Sequence, residues 1–170
     1  MCASHIMEHY KQQLTEAYGL YSDAIFRYCY FRISDREKAL DFVAETFTRM
    51  WQYLLKGNEI DNTKTFLYTV ARHIIIDEYR KKKTISLDYL IEQGIEPYLE
   101  TEEREYSPVE IERVMCHVHA LPEKYSSIII LRYVNDLTIP EISEIVHESE
   151  NVVSVRIHRG IDKLKKIVLA

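Results

Sequence analysis

Apolar side chains recur every three or four residues over most of this chain, which is the spacing of one face of an α-helix. In the N-terminal half this spacing predicts three helices with the following inward positions: Leu14, Tyr18, Tyr21, Ile25 and Tyr28; Ala39, Val43, Phe47, Met50 and Leu54; Phe66, Leu67, Val70, Ala71, Ile74 and Ile75. A capping box at Ser34–Glu37 predicts the start of the second helix, and Gly57 is placed to end it. No segment alternates with the period of a strand, so the chain is predicted to be all-α.

Capping signals divide the C-terminal part into further helices. Ser107–Glu110 is a capping box with proline at the first helical position, and it predicts the start of one helix. Leu121-Pro122 ends that helix and opens the next. The inward positions of this next helix are Ile128, Ile129, Leu131 and Val134.

The last two predicted helices have the arrangement of a helix-turn-helix. A capping box at Thr138–Glu141 starts a short helix over 139–146, and Ser149 caps a longer one over 150–168 whose inward stripe extends to Val168. Such a unit places its second helix in the major groove of DNA. The side chains that then face outward are Asn151, Ser154, Arg156, His158 and Arg159. A plain helical hairpin has the same spacing and stays an alternative at this point.

Charge separates the two helical parts. The net charge is −5, and residues 84–112 carry nine acidic side chains and one basic one, whereas the flanking blocks are nearly neutral. Periodicity also fades there. The sequence therefore predicts two small helical domains, 8–83 and 107–170, joined by an acidic linker over 84–106.

Composition and the absence of certain motifs argue against several classes of function. The chain has 170 residues with 46% hydrophobic content, enough for real cores, and it has no apolar run near the roughly 18 residues of a membrane span and no secretory signal. Its three cysteines share no short spacing, which favours the cytoplasm over an oxidising compartment. Cys116, His117 and His119 point around a helix, so we expect no metal site. No catalytic or cofactor motif is present, and we predict neither an enzyme nor a bound cofactor.

Two ordered sets of residues resemble bacterial RNA polymerase sigma factors of the extracytoplasmic-function type. Asp41–Trp51 looks like the helix that binds core polymerase, and Phe66–Arg80 looks like the helix that opens and holds the −10 element. Leu121-Pro122, Leu131–Val134 and Ser149–Arg159 look like parts of the C-terminal domain that binds the −35 element. The resemblance covers residues from about 10 to 168 in the family's order.

The resemblance implies a polymerase-binding face on the second helix. Its residues are Asp41, Phe42, Glu45 and Arg49. Asp41 and Glu45 lie four residues apart and hence on one helix face. Exposed carboxylates there suit a basic partner surface and chiefly steer and specify its docking. Without the resemblance, a solvated acidic face explains the same residues.

The resemblance also implies a −10 surface on the third helix. The residues that it assigns are Asn62, Lys64, Phe66, Tyr68, Arg72, His73, Arg80, Lys81, Lys82 and Lys83. The loop Lys56–Thr63 would select a base flipped out of the duplex. An aromatic platform holds such a base while cations bind the backbone. Core packing is the alternative role for Phe66 and Tyr68.

Several residues depart from the family's pattern. His73 stands where asparagine is usual, and His147 stands where the turn of the helix-turn-helix usually has glycine, so we expect a different turn. In the recognition helix Asn151, Val152 and Val155 replace glycine, threonine and serine. Ile161 and Asp162 replace basic residues. We therefore expect weaker or unusual −35 binding.

Core RNA polymerase, promoter DNA and an anti-sigma protein are the partners that the resemblance implies, with no insertion into a membrane. Two alternatives stay open: a stand-alone helix-turn-helix regulator, and a sigma-like regulator that binds polymerase but not DNA. A ligand-binding or dimerisation domain in the N-terminal half would indicate the first alternative. A closed form, in which the two domains pack together and hide DNA-binding surfaces, is a further hypothesis.

Overall fold

The computed structural model describes the backbone of residues 3–85 and 108–169, and the side chains of residues 5–81 and 113–169. Throughout these residues the regular secondary structure is helical, which confirms the predicted all-α class. The elements are α1 (Ala3–Ile33), α2 (Arg36–Leu55), α3 (Thr63–Ile85), α4 (Pro108–His119), α5 (Glu123–Ile129), a π-helical segment (Ile130–Val134), α6 (Ile139–Val146) and α7 (Glu150–Val168). Most of the predicted acidic linker, residues 86–106, lies outside the described residues.

The first three helices pack together around one apolar core. Every predicted inward residue of α2 is buried, and Tyr28 of α1 meets Tyr68 of α3 edge-to-face with 5.4 Å between ring centroids. Tyr18 was predicted to face inward, but about half of its surface is exposed. Its ring contacts that of the core residue Phe47, with 4.9 Å between ring centroids.

The capping box predicted at Ser34–Glu37 is wrong in its first residue. Ser34 has a φ of 52° and closes the end of α1, where its N–H donates to the carbonyl of Tyr30. An N-cap needs extended backbone, so Asp35 takes that role and accepts a hydrogen bond from the N–H of Lys38 at 3.1 Å. Gly57, with a φ of 82°, follows α2 as predicted.

The C-terminal helices have the predicted bounds of a helix-turn-helix. Thr138 and Glu141 form the capping box in both directions, and Ser149 accepts a hydrogen bond from the N–H of Val152. Gly160 lets α7 approach α5 closely, because a Cβ there would lie 2.9 Å from Cδ1 of Ile129. Val168 is exposed rather than inward, because the neighbouring Ile167 takes the inward position and packs against the core at the end of α7.

A π-helical segment, which the sequence analysis did not predict, joins α5 to the turn before α6. Its widened turn is closed by a hydrogen bond from the N–H of Asn135 to the carbonyl of Ile130 at 3.1 Å. The buried side chain of Asn135 then donates to the carbonyl of Ala24 in α1 at 3.2 Å. The segment therefore connects the C-terminal helices to the N-terminal ones.

The two groups of helices lie against each other, as in the closed form offered above as a hypothesis. Besides the Asn135 hydrogen bond, an ion pair joins Arg32 at the end of α1 to Glu123 at the start of α5. A second ion pair joins Lys64 of α3 to Glu141 of α6, at 2.9 Å. Among the helices described, none is long and apolar enough to cross a bilayer.

Candidate DNA and polymerase surfaces

The outer face of α2 presents an exposed acidic pair. Asp41 and Glu45 are both exposed, and Glu45 accepts hydrogen bonds from Nη2 and Nε of Arg49 at 2.6 and 3.0 Å. A half-exposed ion pair of this kind stabilises a protein by at most about 1 kcal/mol. A binding partner can therefore separate Glu45 from Arg49 at a small cost in free energy. Phe42 is only 9% exposed and packs in the core. Phe42 therefore supports the helix from inside, a correction to its predicted place in the binding face.

An open apolar groove borders this acidic pair, and the sequence analysis did not predict it. The α1–α2 groove has a volume of about 440 Å³ and is lined by Leu14, Thr15, Tyr18, Ala44, Phe47, Thr48 and Trp51. Ala44 and Thr48 lie within one helical turn of Asp41 and Glu45, so the polar and apolar surfaces are continuous. The sequence signal for this groove was Trp51. It is half-exposed, because it lies beside the buried stripe of α2 rather than within it.

Tyr68 is a core residue and not a platform for a base. It is 1% exposed and contacts Tyr28, and burial raises the pKa of its hydroxyl to about 12. The prediction that Tyr68 contacts DNA is therefore wrong. Phe66 is half-buried and packs on the exposed Tyr53, with 4.9 Å between ring centroids. This Phe66–Tyr53 pair is the aromatic surface next to the loop over 56–63.

The loop before α3 is fixed by two asparagines. Oδ1 of Asn62 accepts a hydrogen bond from the N–H of Thr65 at 3.1 Å, so Asn62 caps α3. Asn58 donates to the carbonyl of Tyr53 at 3.1 Å, which holds the loop against the end of α2. Asn62 remains exposed despite its capping role, so its amide nitrogen is available to a partner.

The cations predicted for the −10 surface have different environments. Arg72 is half-buried, and Arg80 and Lys81 are exposed. Arg80 lies 3.8 Å from Asp77, one turn earlier on α3. Lys82 and Lys83 belong to α3, but their side chains lie outside the described residues. This end of the helix thus offers cations at the surface.

Two residues of the predicted −10 surface, Lys64 and His73, contact residues of α6 or of the turn that follows it. Nζ of Lys64 donates to Oε1 of Glu141 at 2.9 Å, and the rings of His73 and His147 are stacked with 6.4 Å between centroids. Burial would raise the pKa of Glu141, but hydrogen bonds from Lys64 and Thr138 bring it below its usual value. Burial, together with nearby positive charge, lowers the pKa of His73.

The turn of the helix-turn-helix keeps its usual geometry without glycine. His147 has φ 56° and ψ 44°, a left-handed conformation, and its N–H closes the end of α6. The expectation of a different turn is therefore wrong: the histidine takes the strained conformation, which costs a non-glycine residue roughly 1–2 kcal/mol. Consequently α6 ends at His147, and α7 begins three residues later at Glu150.

The outer face of α7 is open. Asn151, His158 and Arg159 are exposed, and Ser154 is half-buried at the flank. Nη2 of Arg156 lies 2.7 Å from Oε1 of Glu148, so this arginine is engaged within its own helix-turn-helix. The structure therefore brings the five predicted residues onto one helix, three of them at its exposed surface.

Arg32 is a residue that the sequence analysis missed. Its side chain is almost completely buried and pairs with Glu123, and its carbonyl accepts a hydrogen bond from the hydroxyl of Tyr79. The aromatic run 26–33 contains two arginines, and because Arg27 is exposed, a cation in this run did not by itself indicate the burial of Arg32. Its partner lies 91 residues away in sequence, so local patterns could not identify it.

Comparison with protein-family models gives two matches. Residues 17–85 match the model for sigma-70 region 2, and residues 111–164 match that for sigma-70 region 4. The chain is similar to the ECF RNA polymerase sigma factor SigW of Bacillus subtilis, with 29% identity over 160 residues that cover 86% of this chain and 84% of SigW. It is also similar to SigM of the same organism, with 28% identity over 158 residues that cover 91% of this chain and 94% of SigM.

Two solved structures share the fold. One is the sigma factor RpoE in complex with the anti-sigma factor NepR from Bartonella quintana, with a TM-score of 0.74 and 17% identity over 94% of this chain and 98% of RpoE. The other is CnrH in complex with the cytosolic domain of CnrY, with a TM-score of 0.72 and 17% identity over 98% of this chain and 94% of CnrH.

Proposed function

Because this chain belongs to the extracytoplasmic-function sigma factors, which direct RNA polymerase to promoters, we propose how its surfaces divide that task. Residues 8–83 form the domain that binds core polymerase and the −10 element. Residues 107–170 form the domain that binds the −35 element, and residues 84–106 connect the two. The two family matches, which fall on either side of the acidic segment, support these boundaries.

Core polymerase docks on α2 through Asp41 and Glu45 and through the adjoining α1–α2 groove. The carboxylates steer a basic surface into place, and the groove adds apolar contact around Trp51. Arg49 releases Glu45 when the partner arrives. Phe42 contributes by holding α2 in position from the core.

The −10 element binds along α3 and the loop before it. The Phe66–Tyr53 pair offers an aromatic face on which a flipped base stacks, with Asn62 and Lys64 at its edge. Arg72 and His73 follow along the same helix. The cations at its end, namely Arg80, Lys81, Lys82 and Lys83, neutralise phosphates of the upstream duplex. Unstacking one base costs a few kcal/mol, which these contacts have to offset.

The −35 element binds along the outer face of α7. Asn151 and Ser154 lie in the first turns, where recognition helices reach base edges. Arg159 and His158 lie further along, and Arg156 joins them once it exchanges Glu148 for a phosphate. The open outer face supports this assignment.

The chain acts in the cytoplasm without a catalytic centre, metal or cofactor, because its surfaces bind and open DNA rather than perform covalent chemistry. An anti-sigma protein holds it when it is inactive. The two solved relatives support this partner, since RpoE is in complex with NepR and CnrH with the cytosolic domain of CnrY.

The continuity of the Asp41/Glu45 pair with the α1–α2 groove carries this proposal. It is tested by titrating labelled full-length chain against core RNA polymerase. Asp41→Lys/Glu45→Lys should abolish saturable binding, because two attractive charges become repulsive. The matched control Glu16→Lys/Asp23→Lys makes the same charge change at exposed sites of α1 and should bind normally. Equal binding by both variants would contradict the proposed docking face.

A further inference from the structure

The centre of the outer face of α7 is occupied by an apolar side chain. Val153, Ile157 and Gly160 define the buried side of the helix. With about 100° between successive residues, Val155 lies roughly 200° from Val153 and therefore opposite the core. It is 38% exposed and belongs to neither the hydrophobic core nor the residues packed against it.

Polar residues bracket Val155 on the same face. Asn151 lies one turn before it and Arg159 one turn after it, and both are exposed. Valine is a poor choice for an exposed helix position, because its branched side chain loses rotamer freedom there. The packing of α7 gives no reason for it, whereas a surface that enters the major groove does.

The major groove contains one apolar group, the 5-methyl group of thymine, and base pairs that lack thymine lack it. We propose that Val155 contacts the 5-methyl group of a thymine in the −35 element and thereby selects thymine at that base pair. This inference rests on the proposed role of α7 as the −35 recognition helix. The stiff side chain suits this role, because its two methyl groups stay in one rotamer. Asn151 and Arg159, each about 6 Å away along the helix, fall on neighbouring base pairs or phosphates.

The contact is tested with the complete holoenzyme, formed from core RNA polymerase and the full chain. A promoter duplex with a randomised −35 segment is selected for binding, and each thymine of the selected site is then replaced singly by deoxyuridine, which lacks only the methyl group. One replacement should weaken binding about fourfold, the value of one buried methyl group. With Val155→Ala the same replacement should have a much smaller effect, since the two γ-methyl groups that make the contact are gone.

Two further variants test whether the methyl groups of Val155 cause the discrimination. Val155→Thr keeps the branch and one methyl group, and it should retain part of the discrimination. Val168→Ala removes methyl groups at an exposed site near the end of α7, and it should retain all of it. An equal methyl effect in wild type and Val155→Ala, no methyl effect at any site, or a selected −35 sequence without thymine would each overturn the inference.

Failure of the proposed function gives a different pattern. If α7 does not bind the −35 element, the selection yields no −35 preference and Arg159→Ala leaves holoenzyme binding unchanged, which overturns both proposals. If a −35 preference appears and Arg159→Ala weakens binding while every methyl replacement is silent, the Val155 inference alone is overturned.

Discussion

The two helices proposed to bind DNA, α3 and α7, differ in what this conformation leaves available. On α3, Lys64 is paired with Glu141 and His73 is stacked on His147. The outer face of α7 is open to solvent from its first turn to Arg159. The same arrangement of domains therefore leaves the −35 surface available while α6 covers part of the −10 surface.

The difference indicates that contacts between the two groups of helices control access to this surface of α3, which we propose binds the −10 element. Lys64 and Glu141 are partly exposed, so their ion pair contributes at most about 1 kcal/mol. Arg32 is buried, and a buried cation that loses its partner costs several times more. Loss of the Glu123 carboxylate should therefore perturb the closed arrangement more than loss of the Lys64–Glu141 pair.

Glu123→Ala should have the largest effect on the closed arrangement. It leaves Arg32 buried without its carboxylate, which destabilises the closed arrangement by about 3 kcal/mol. Separation of the domains exposes Arg32 to water and relieves this cost, so we expect opening rather than global unfolding. Small-angle scattering of the free chain should show a larger radius of gyration. Glu144→Ala, at an exposed site of α6, is the control, and an unchanged radius in Glu123→Ala would rule out this role for the pair.

Glu141→Gln should uncover α3 to a smaller extent. Glutamine can keep the capping box with Thr138 but loses the charge that holds Lys64. The free chain should bind a single-stranded −10 oligonucleotide about threefold more tightly, as expected for loss of a pair worth about 0.6 kcal/mol. Fluorescence anisotropy measures the affinity. Glu144→Gln on the same helix should bind like wild type, and equal affinities in all three proteins would contradict the proposed masking.

Acidification should also favour separation of the two groups of helices, because it protonates His73. Its pKa is lowered by burial and by positive charge from Arg72, His147 and Arg49, against the opposing carboxylate of Asp77. The closed arrangement thus binds fewer protons at His73 than a chain in which α6 has moved away. Its stability is therefore complete above about pH 7.5 and falls as the pH drops below the ordinary histidine value of about 6.5.

Scattering at pH 7.5 and pH 5.5 tests this dependence. The wild type should expand at the lower pH, and His73→Gln should expand less. Titration of Glu141 does not interfere, because its lowered pKa places its protonation well below this range. An identical pH response in wild type and His73→Gln would remove His73 as the cause.

Local signals in the sequence predicted the helix-turn-helix well. The caps at Thr138 and Ser149 each accept a hydrogen bond from the N–H three residues away, so the bounds of α6 and α7 follow from neighbouring residues alone. Tyr68 was misassigned for the opposite reason. A single inward stripe assumes one buried face, but α3 packs on α1 and α2 and also on α6. The pair of Arg32 with Glu123 likewise depends on residues distant in sequence.

The left-handed turn at His147 has a mechanical consequence. The left-handed backbone at His147 ends α6 and turns the chain toward α7, and the His147 ring also lies 6.4 Å from the ring of His73 on α3. A glycine would make the same turn and touch nothing. Because His147 has a side chain, the same residue forms the turn between α6 and α7 and contacts α3, so a substitution at His147 acts both on that turn and on the contact between the two groups of helices.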